Sequence, residues 1–152
     1  MATVPHILPA RVRFRETELT RWRIEGIVPL SRLARLSSVS LEPTDAQPVS
    51  VCLYGRRADD GGAMLEGTLC GDLALRCVRC LESIRWVIDL SVRLRVVRSE
   101  TEERRLLDQC EPLWLEDDWL PLHALIEDEI LLELPMAPKH PEGSCPSPRQ
   151  ND

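Results

Sequence analysis

Cys77 and Cys80 are the residues whose type and spacing most directly indicate chemistry. Two thiolates three positions apart can bind one metal ion or exchange one disulfide, so the pair alone leaves a zinc site, a redox centre and a plain turn open. His140 and Cys145 follow downstream and would complete a Cys₃His set for one structural zinc ion. The interval from His140 to Cys145 is not a standard ligand spacing, and Leu81 stands where a tight metal turn would favour glycine.

The alternatives to a metal site differ in what surrounds the two thiols. A redox pair of the thioredoxin type opens a helix whose N-terminus lowers the thiol pKa, but the segment after Cys80 is predicted to be a strand. The sequence holds no Gly-x-Ser-x-Gly, no phosphate-binding glycine loop and no His-Glu-x-x-His. The chain is therefore predicted to be non-enzymatic and to take no small-molecule substrate. A structural zinc ion and a turn with two free thiols both remain open.

Long alternating segments stand on both sides of the cysteine pair and are predicted to be β-strands. From Ile84 to Val96 every second residue is apolar and most of the others are polar, which is typical of an antiparallel sheet with one face in water. The segment 64–77 is the preceding strand. The run Asp59-Asp60-Gly61-Gly62 predicts a turn that joins it to a strand at 49–54. Weaker alternation predicts further strands at 6–14, 21–28 and 111–115.

Two prolines mark the predicted starts of helices. A short helix follows Pro29, and a longer one runs from Pro121 to about Leu134, because proline is tolerated at the first position of a helix. The buried stripe of the longer helix is predicted to comprise Leu122, Leu125, Ile126, Ile130 and Leu134. Its acidic residues are predicted to face mostly outward, namely Glu127, Asp128, Glu129 and Glu133. The charged segment 99–109 is predicted to be a loop or a short helix.

These elements predict an α+β fold: an antiparallel, partly barrel-like β-sheet with a short N-terminal helix and a C-terminal amphipathic helix packed on it. Residues 1–138 would form this single domain, with the Cys77-x-x-Cys80 pair between its two long strands. The 152 residues of the chain suffice for one domain with its own core. Residues 139–152 are predicted to be a Pro-rich C-terminal tail that is mobile unless a metal site holds it.

Charge and cysteine content narrow the class of function. The net charge is −6, but residues 1–98 carry 15 Arg and 11 acidic residues, whereas residues 99–152 carry 4 basic and 14 acidic residues. An acidic protein rarely binds RNA by charge alone, which favours local contacts or contact through a protein partner. The sequence shows neither a membrane-spanning run nor a signal peptide, so we expect a cytoplasmic protein whose cysteines stay reduced.

Four ordered pieces of the sequence together resemble one protein family. They are Leu75-Arg76-Cys77-Val78-Arg79-Cys80, Glu111-Pro112-Leu113, the acidic helix that ends at Leu134-Pro135, and Pro138-Lys139-His140 with Cys145. This set resembles the YceD family of bacterial and plastid proteins, closely over residues 64–145 and loosely over the first 60. The chain departs from the family at Pro121, where an Asp-like cap is usual. It also departs in the tail, where many relatives have a second cysteine-rich knuckle.

The resemblance implies a non-enzymatic factor that supports synthesis, processing or accumulation of large-subunit (23S) ribosomal RNA in ribosome biogenesis. Its partner would be a ribosomal RNA precursor or a ribosomal or RNA-processing protein, and no membrane contact is expected. Five arginines are candidates for contacts with RNA phosphates: Arg76, Arg79, Arg85, Arg93 and Arg95. The acidic helix residues Glu127, Asp128, Glu129 and Glu133 are candidates for contact with a basic protein. The alternative is a small zinc-binding interaction scaffold without a direct RNA role, and the same charges could also serve only solubility.

Overall fold

A computed structural model describes residues 6–41, 48–106 and 110–146 of the chain. Within these ranges the strands are β1 (Val12–Arg13), β2 (Arg23–Val28), β3 (Val49–Arg57), β4 (Ala63–Arg76), β5 (Ser83–Val97), β6 (Glu111–Trp114) and β7 (Trp119–Leu120). The α-helices are α1 (Ala34–Val39), α2 (Glu100–Leu106) and α3 (Leu122–Glu133), and short 3₁₀ helices lie at Glu16–Arg21 and Leu30–Arg32. None of these helices is long and apolar enough to cross a lipid bilayer.

Five strands form one sheet in the order β2-β3-β4-β5-β6, and β1 pairs with β7 in a separate two-stranded sheet. Strands β2 to β5 are antiparallel to their neighbours, which confirms the antiparallel-rich α+β fold. Strand β6 instead runs parallel to β5, because the chain crosses back through α2 before it rejoins the sheet. This parallel pair was not predicted. In the described ranges the edge strands β2 and β6 do not pair with each other, so the partly barrel-like shape is not confirmed.

The core lies between one face of the sheet and the helices α1 and α3. Leu65 and Leu69 of β4 and Ile88 of β5 are almost completely buried, since residues two apart in a strand point to the same face. The opposite face of β5 is exposed and carries Arg85, Val87, Asp89, Ser91 and Arg93. The predicted division into a buried and a wet face fails at the end of β5, where Arg95 and Val97 are both buried.

Helix α3 begins directly after Pro121, as the sequence predicts. Four members of the predicted stripe are buried, namely Leu122, Leu125, Ile126 and Ile130, whereas Leu134 is half-buried and follows the last turn. Two residues depart from the expected amphipathic pattern: Leu132 is exposed and Glu127 is buried. The predicted outward position of Glu127 is therefore wrong, because its carboxylate accepts backbone hydrogen bonds from α1.

The N-terminal segment differs from the predicted strand at 6–14. Only the two residues of β1 form a strand, and Ile7 makes a single bridge to Ile27. The ladder cannot continue past Leu8, because Pro9 has no backbone N–H. The segment 99–109, predicted as a loop or short helix, contains α2, while its residues 107–109 lie outside the described ranges.

Candidate metal centre

Cys77 and Cys80 lie in the tight turn that joins β4 to β5. The backbone N–H of Cys77 donates to the carbonyl of Glu82 and the N–H of Leu81 donates to the carbonyl of Cys77, both at 2.9 Å. Leu81 has a φ of 63° and is the one non-glycine residue with a positive φ in the part of the chain that the structure describes. The turn that glycine would favour is thus formed by a leucine, so the residue at this position does not argue against a metal site.

The C-terminal segment returns to this turn after α3 ends. The backbone N–H of Val78 donates to the carbonyl of Pro138 at 2.9 Å, which places the next residues beside the cysteine pair. A second turn, with Gly143 at a φ of 79° and a hydrogen bond from Ser144 to Pro141, reverses the chain between His140 and Cys145. The irregular interval between these two residues is therefore the length of a turn. The predicted tail is described as far as residue 146, and residues 147–152 lie outside the described ranges.

The four predicted ligands meet at one point. The ligand atoms of Cys77, Cys80, His140 and Cys145 all lie within 4.8 Å of one another. The Sγ atoms of Cys77 and Cys145 are 3.9 Å apart, and Sγ of Cys80 is 3.4 Å from Nδ1 of His140. Two sulfurs on a tetrahedral zinc ion, each about 2.3 Å from the metal, would be about 3.8 Å apart. The cluster can therefore hold a metal ion with little rearrangement.

The imidazole of His140 is oriented by a second contact. Its Nε2 lies 3.2 Å from the backbone carbonyl of Ser83, the first residue of β5. A proton on Nε2 would be donated to this carbonyl, which leaves Nδ1 neutral and free to bind a metal. The sequence offers no signal for Ser83, because its contribution is a backbone carbonyl and not a side chain.

The thiols are electrostatically coupled. Burial raises the pKa of the Cys77 thiol, but hydrogen bonds from backbone N–H groups of Cys80, His140 and Arg79 outweigh it and lower the pKa to about 5. Burial and the neighbouring sulfurs of Cys77 and Cys80 raise the pKa of Cys145 to about 11. One thiolate is thus favoured while a second is repelled by the first. A bound cation would remove this repulsion and stabilise several thiolates together.

The cluster is closed by protein side chains. Cys77 is fully buried and the other three residues are half-buried, and four protein ligands leave no position for a reacting molecule in a tetrahedral site. Catalytic zinc sites usually have three protein ligands and one open position, whereas structural sites have four. The arrangement therefore suits a structural role, in which a metal ion joins the C-terminal segment to the β4–β5 turn.

The five arginines proposed to contact RNA do not form one continuous surface. Arg85 pairs with Asp72 at 3.0 Å, and Arg93 lies 3.8 Å from Glu66. Arg95 was predicted to lie on the wet face, which is wrong: it is only 8% exposed. Its guanidinium binds both carboxylate oxygens of Asp60 at 2.9 Å, because the β3–β4 turn folds over it. The sequence had indicated Asp60 only as part of a turn.

Arg76 and Arg79 differ from the other three arginines. Both are exposed and stand next to Cys77 and Cys80 in the sequence. No carboxylate in the described ranges lies within ion-pair distance of either. Their guanidinium groups are therefore the ones in the predicted set that are most available to an external anion.

The four acidic residues proposed to contact a partner are also in different environments. Glu127 is buried, and Asp128 pairs with Arg35 at 2.8 Å. Glu133 is exposed, and Glu129 is half-buried with its carboxyl group hydrogen-bonded to Glu111 of β6. Sequence periodicity could not indicate Glu111 as the neighbour of Glu129, because the two residues lie on different elements that meet only in the tertiary structure.

Comparison with known proteins supports the resemblance of the sequence pieces. Neither the curated proteins nor the solved structures contain a match to this chain. A family model described as Large ribosomal RNA subunit accumulation protein YceD matches residues 65–152, which is more than half of the chain and includes all four residues of the metal cluster. The chain therefore belongs to the YceD family.

Proposed function

We propose that this protein is a non-enzymatic cytoplasmic factor that supports the accumulation of 23S ribosomal RNA during ribosome biogenesis, and that Cys77, Cys80, His140 and Cys145 bind one structural zinc ion. Membership of the YceD family is the observation that carries the ribosomal part of the proposal. The zinc part is supported by the spacing of the four ligand atoms and by their closed arrangement.

The turn that carries two of the ligands is the candidate surface for RNA. Arg76 and Arg79 are exposed on it, and the hydrogen bond from Val78 to Pro138 brings the exposed Lys139 beside it. Arginine and lysine side chains without a carboxylate partner can bind phosphate oxygens without first breaking an ion pair. A zinc ion would hold Lys139 and the two arginines on one rigid element, which supports a ribosomal RNA precursor as the partner.

A second candidate function is a zinc-binding interaction scaffold without direct RNA contact. It is favoured by the pairing of Arg85, Arg93 and Arg95 with carboxylates, which removes much of the positive charge that the sheet would otherwise offer to RNA. In this case the protein would affect ribosomal RNA levels through a protein partner. The two candidates share the metal site and differ in the role of Arg76 and Arg79.

Metal analysis of the protein purified without chelator tests the zinc site. We expect about one equivalent of zinc per folded chain, because four ligands in this geometry bind zinc tightly. The double substitution Cys77→Ser with Cys145→Ser should abolish binding. The matched control, Cys52→Ser with Cys70→Ser, removes two cysteines outside the cluster and should retain the metal. Folded wild-type protein without zinc, and unable to take it up, would exclude this part of the proposal.

The RNA contact is tested in cells that lack the native gene and express variants. Arg76→Gln with Arg79→Gln should lower both the 23S ribosomal RNA level and the RNA that crosslinks to the protein. The matched control, Arg85→Gln with Arg93→Gln, removes two arginines that are already paired with carboxylates and should restore the RNA level. If loss of the gene lowers 23S ribosomal RNA but both double variants restore it fully, the scaffold function is favoured over direct RNA binding.

A further inference from the structure

A groove of about 270 Å³ lies between the edge strand β6 and the first half of α3. Its walls are largely apolar and include Pro112, Trp114, Pro121 and Leu125, while carboxylates of Glu111 and Glu129 line it as well. In the described ranges β6 pairs only with β5, so an extended peptide has room along the outer side of the strand. The groove thus combines an apolar surface with a concentrated negative charge.

The two carboxyl groups in the groove have no cation. Glu129 is hydrogen-bonded to Glu111, and burial, followed by the charge of Glu111, raises the pKa of Glu129 to about 7. Neither carboxylate lies within ion-pair distance of a Lys, Arg or His among the residues that the structure describes. Asp128, which also lines the groove, is occupied by Arg35 at 2.8 Å. Two adjacent carboxyl groups must either share a proton or bind a positive group, and here the protein supplies no such group.

Trp114 provides the remaining part of a cation site. It is 44% exposed at the edge of the sheet and its ring lines the groove beside the two carboxyl groups. The face of an indole ring attracts a cation that lies within about 6 Å of its centre. An exposed tryptophan next to two carboxyl groups is therefore suited to a flat positive group more than to an apolar side chain alone.

We infer that this groove binds an arginine side chain in an extended basic segment of a protein partner. The guanidinium would donate to the carboxylates of Glu111 and Glu129 and stack on Trp114. Arginine fits better than lysine because its planar fork can donate to two oxygens while its face stacks on a ring. RNA is not the occupant, because the carboxylates would repel its phosphates. The inference rests on the proposed function for the nature of the partner, a basic protein of ribosome assembly, and peptide binding tests it separately.

The test uses the full-length protein and a synthetic peptide of alternating glycine and arginine, with citrulline and lysine versions of the same length. The readout is the indole N–H resonance of Trp114 in a titration followed by NMR. We expect the arginine peptide to shift this resonance in a saturable manner, the lysine peptide to bind more weakly, and the uncharged citrulline peptide not to bind. Because these peptides are compared on the wild-type protein, the result does not depend on how well a variant folds.

Variants then locate the site. Glu111→Gln with Glu129→Gln should weaken arginine-peptide binding by about tenfold, since charge-assisted hydrogen bonds are lost. Trp114→Ala should weaken it by about threefold, the size of an exposed cation–π contact. The matched control, Glu25→Gln with Asp89→Asn, removes the same charge from the exposed face of the sheet and should leave binding within about twofold.

Three results would overturn the inference: equal binding of the citrulline peptide, an equal loss in the Glu25 and Asp89 control, or a single-stranded RNA oligonucleotide that shifts the Trp114 resonance while the peptide does not. Each would show that the groove does not select an arginine side chain. These results would leave the proposed function standing, because that function is judged by zinc content and by the 23S ribosomal RNA level in cells. Conversely, saturable arginine binding with no change of ribosomal RNA in cells without the gene would retain the groove and reject the proposed function.

Discussion

The carboxylate of Glu127, on α3, accepts a hydrogen bond of 2.7 Å from the backbone N–H of Arg35 in the first turn of α1. The N–H of Leu36 donates to the same oxygen at 3.2 Å. These two N–H groups have no partner within their own helix, because the first turn of a helix lacks preceding carbonyls. A carboxylate from α3 thus caps α1 and also fixes how the two helices pack.

Replacement of Glu127 by alanine should destabilise the fold by about 2–3 kcal/mol, because the buried N–H of Leu36 would lose its acceptor. The measurement is the free energy of unfolding in urea at neutral pH. Asp128→Ala is the matched control: Asp128 is exposed and pairs with the same arginine, so its loss should cost less than about 1 kcal/mol. Equal losses for the two variants would mean that the cap contributes nothing beyond a surface ion pair.

The buried Arg95 should make stability depend on pH through Asp60. The guanidinium of Arg95, assisted by the backbone N–H of Gly62, lowers the pKa of Asp60 from 3.8 to about 2. A carboxyl group with a lowered pKa in the folded state stabilises the protein above the unfolded pKa, and this contribution is lost as the pH falls from about 4 to about 2. Wild-type protein should therefore lose stability in this range.

The Asp60→Asn variant should show less of this acid-dependent loss, because it lacks the carboxylate that must be protonated. Urea unfolding at pH 5 and pH 2.5, together with NMR titration of the Asp60 carboxyl group, measures both effects. Asp59→Asn makes the same charge change in the same turn and should keep the wild-type pH dependence. A midpoint for Asp60 near 4 would contradict the ion pair with Arg95.

Leu81→Gly should stabilise the protein by about 0.5–1 kcal/mol. A left-handed φ costs a residue with a Cβ about 1–2 kcal/mol, and glycine avoids this cost while its flexible unfolded state takes back part of the gain. Leu81 is 65% exposed, so its removal loses little buried area. Val78→Gly, in the same turn without a positive φ, should instead be destabilising. Thermal unfolding of both variants tests the difference, and a lower melting temperature for Leu81→Gly would show that its side chain contributes more than its backbone strain costs.

Removal of the metal should release the C-terminal segment while the sheet remains folded. The backbone N–H of Val78 reports this directly, because its acceptor is the carbonyl of Pro138 in the returning segment. After chelation, hydrogen exchange at Val78 should accelerate by at least about tenfold, whereas exchange at the buried Leu69 in β4 should not change. Unchanged exchange at Val78 would mean that the segment stays in place without a metal ion.

The parts of the fold that sequence analysis predicted depend on neighbours in the chain. Alternation from Ile84 to Val96 and the turn at Asp59–Gly62 predicted the central antiparallel strands, and Pro121 predicted the start of α3. Periodicity assigns each residue to one side of an element but cannot tell what covers that side. Arg95 and Glu127 therefore lie where the pattern did not predict, since the β3–β4 turn covers one and α1 covers the other.

By itself the sequence determined the types of the four metal ligands, the strands that flank Cys77 and Cys80, and the pieces by which the family was identified. Only the tertiary structure decided that Cys80 and His140, 60 positions apart, lie within 3.4 Å, and that Glu111 reaches Glu129. The reason is physical: strands, turns and helix starts follow from local backbone preferences, whereas the meeting of distant side chains depends on how completed elements pack. The cysteine pair thus marked the site, and the return of the C-terminal segment along Val78 completed it.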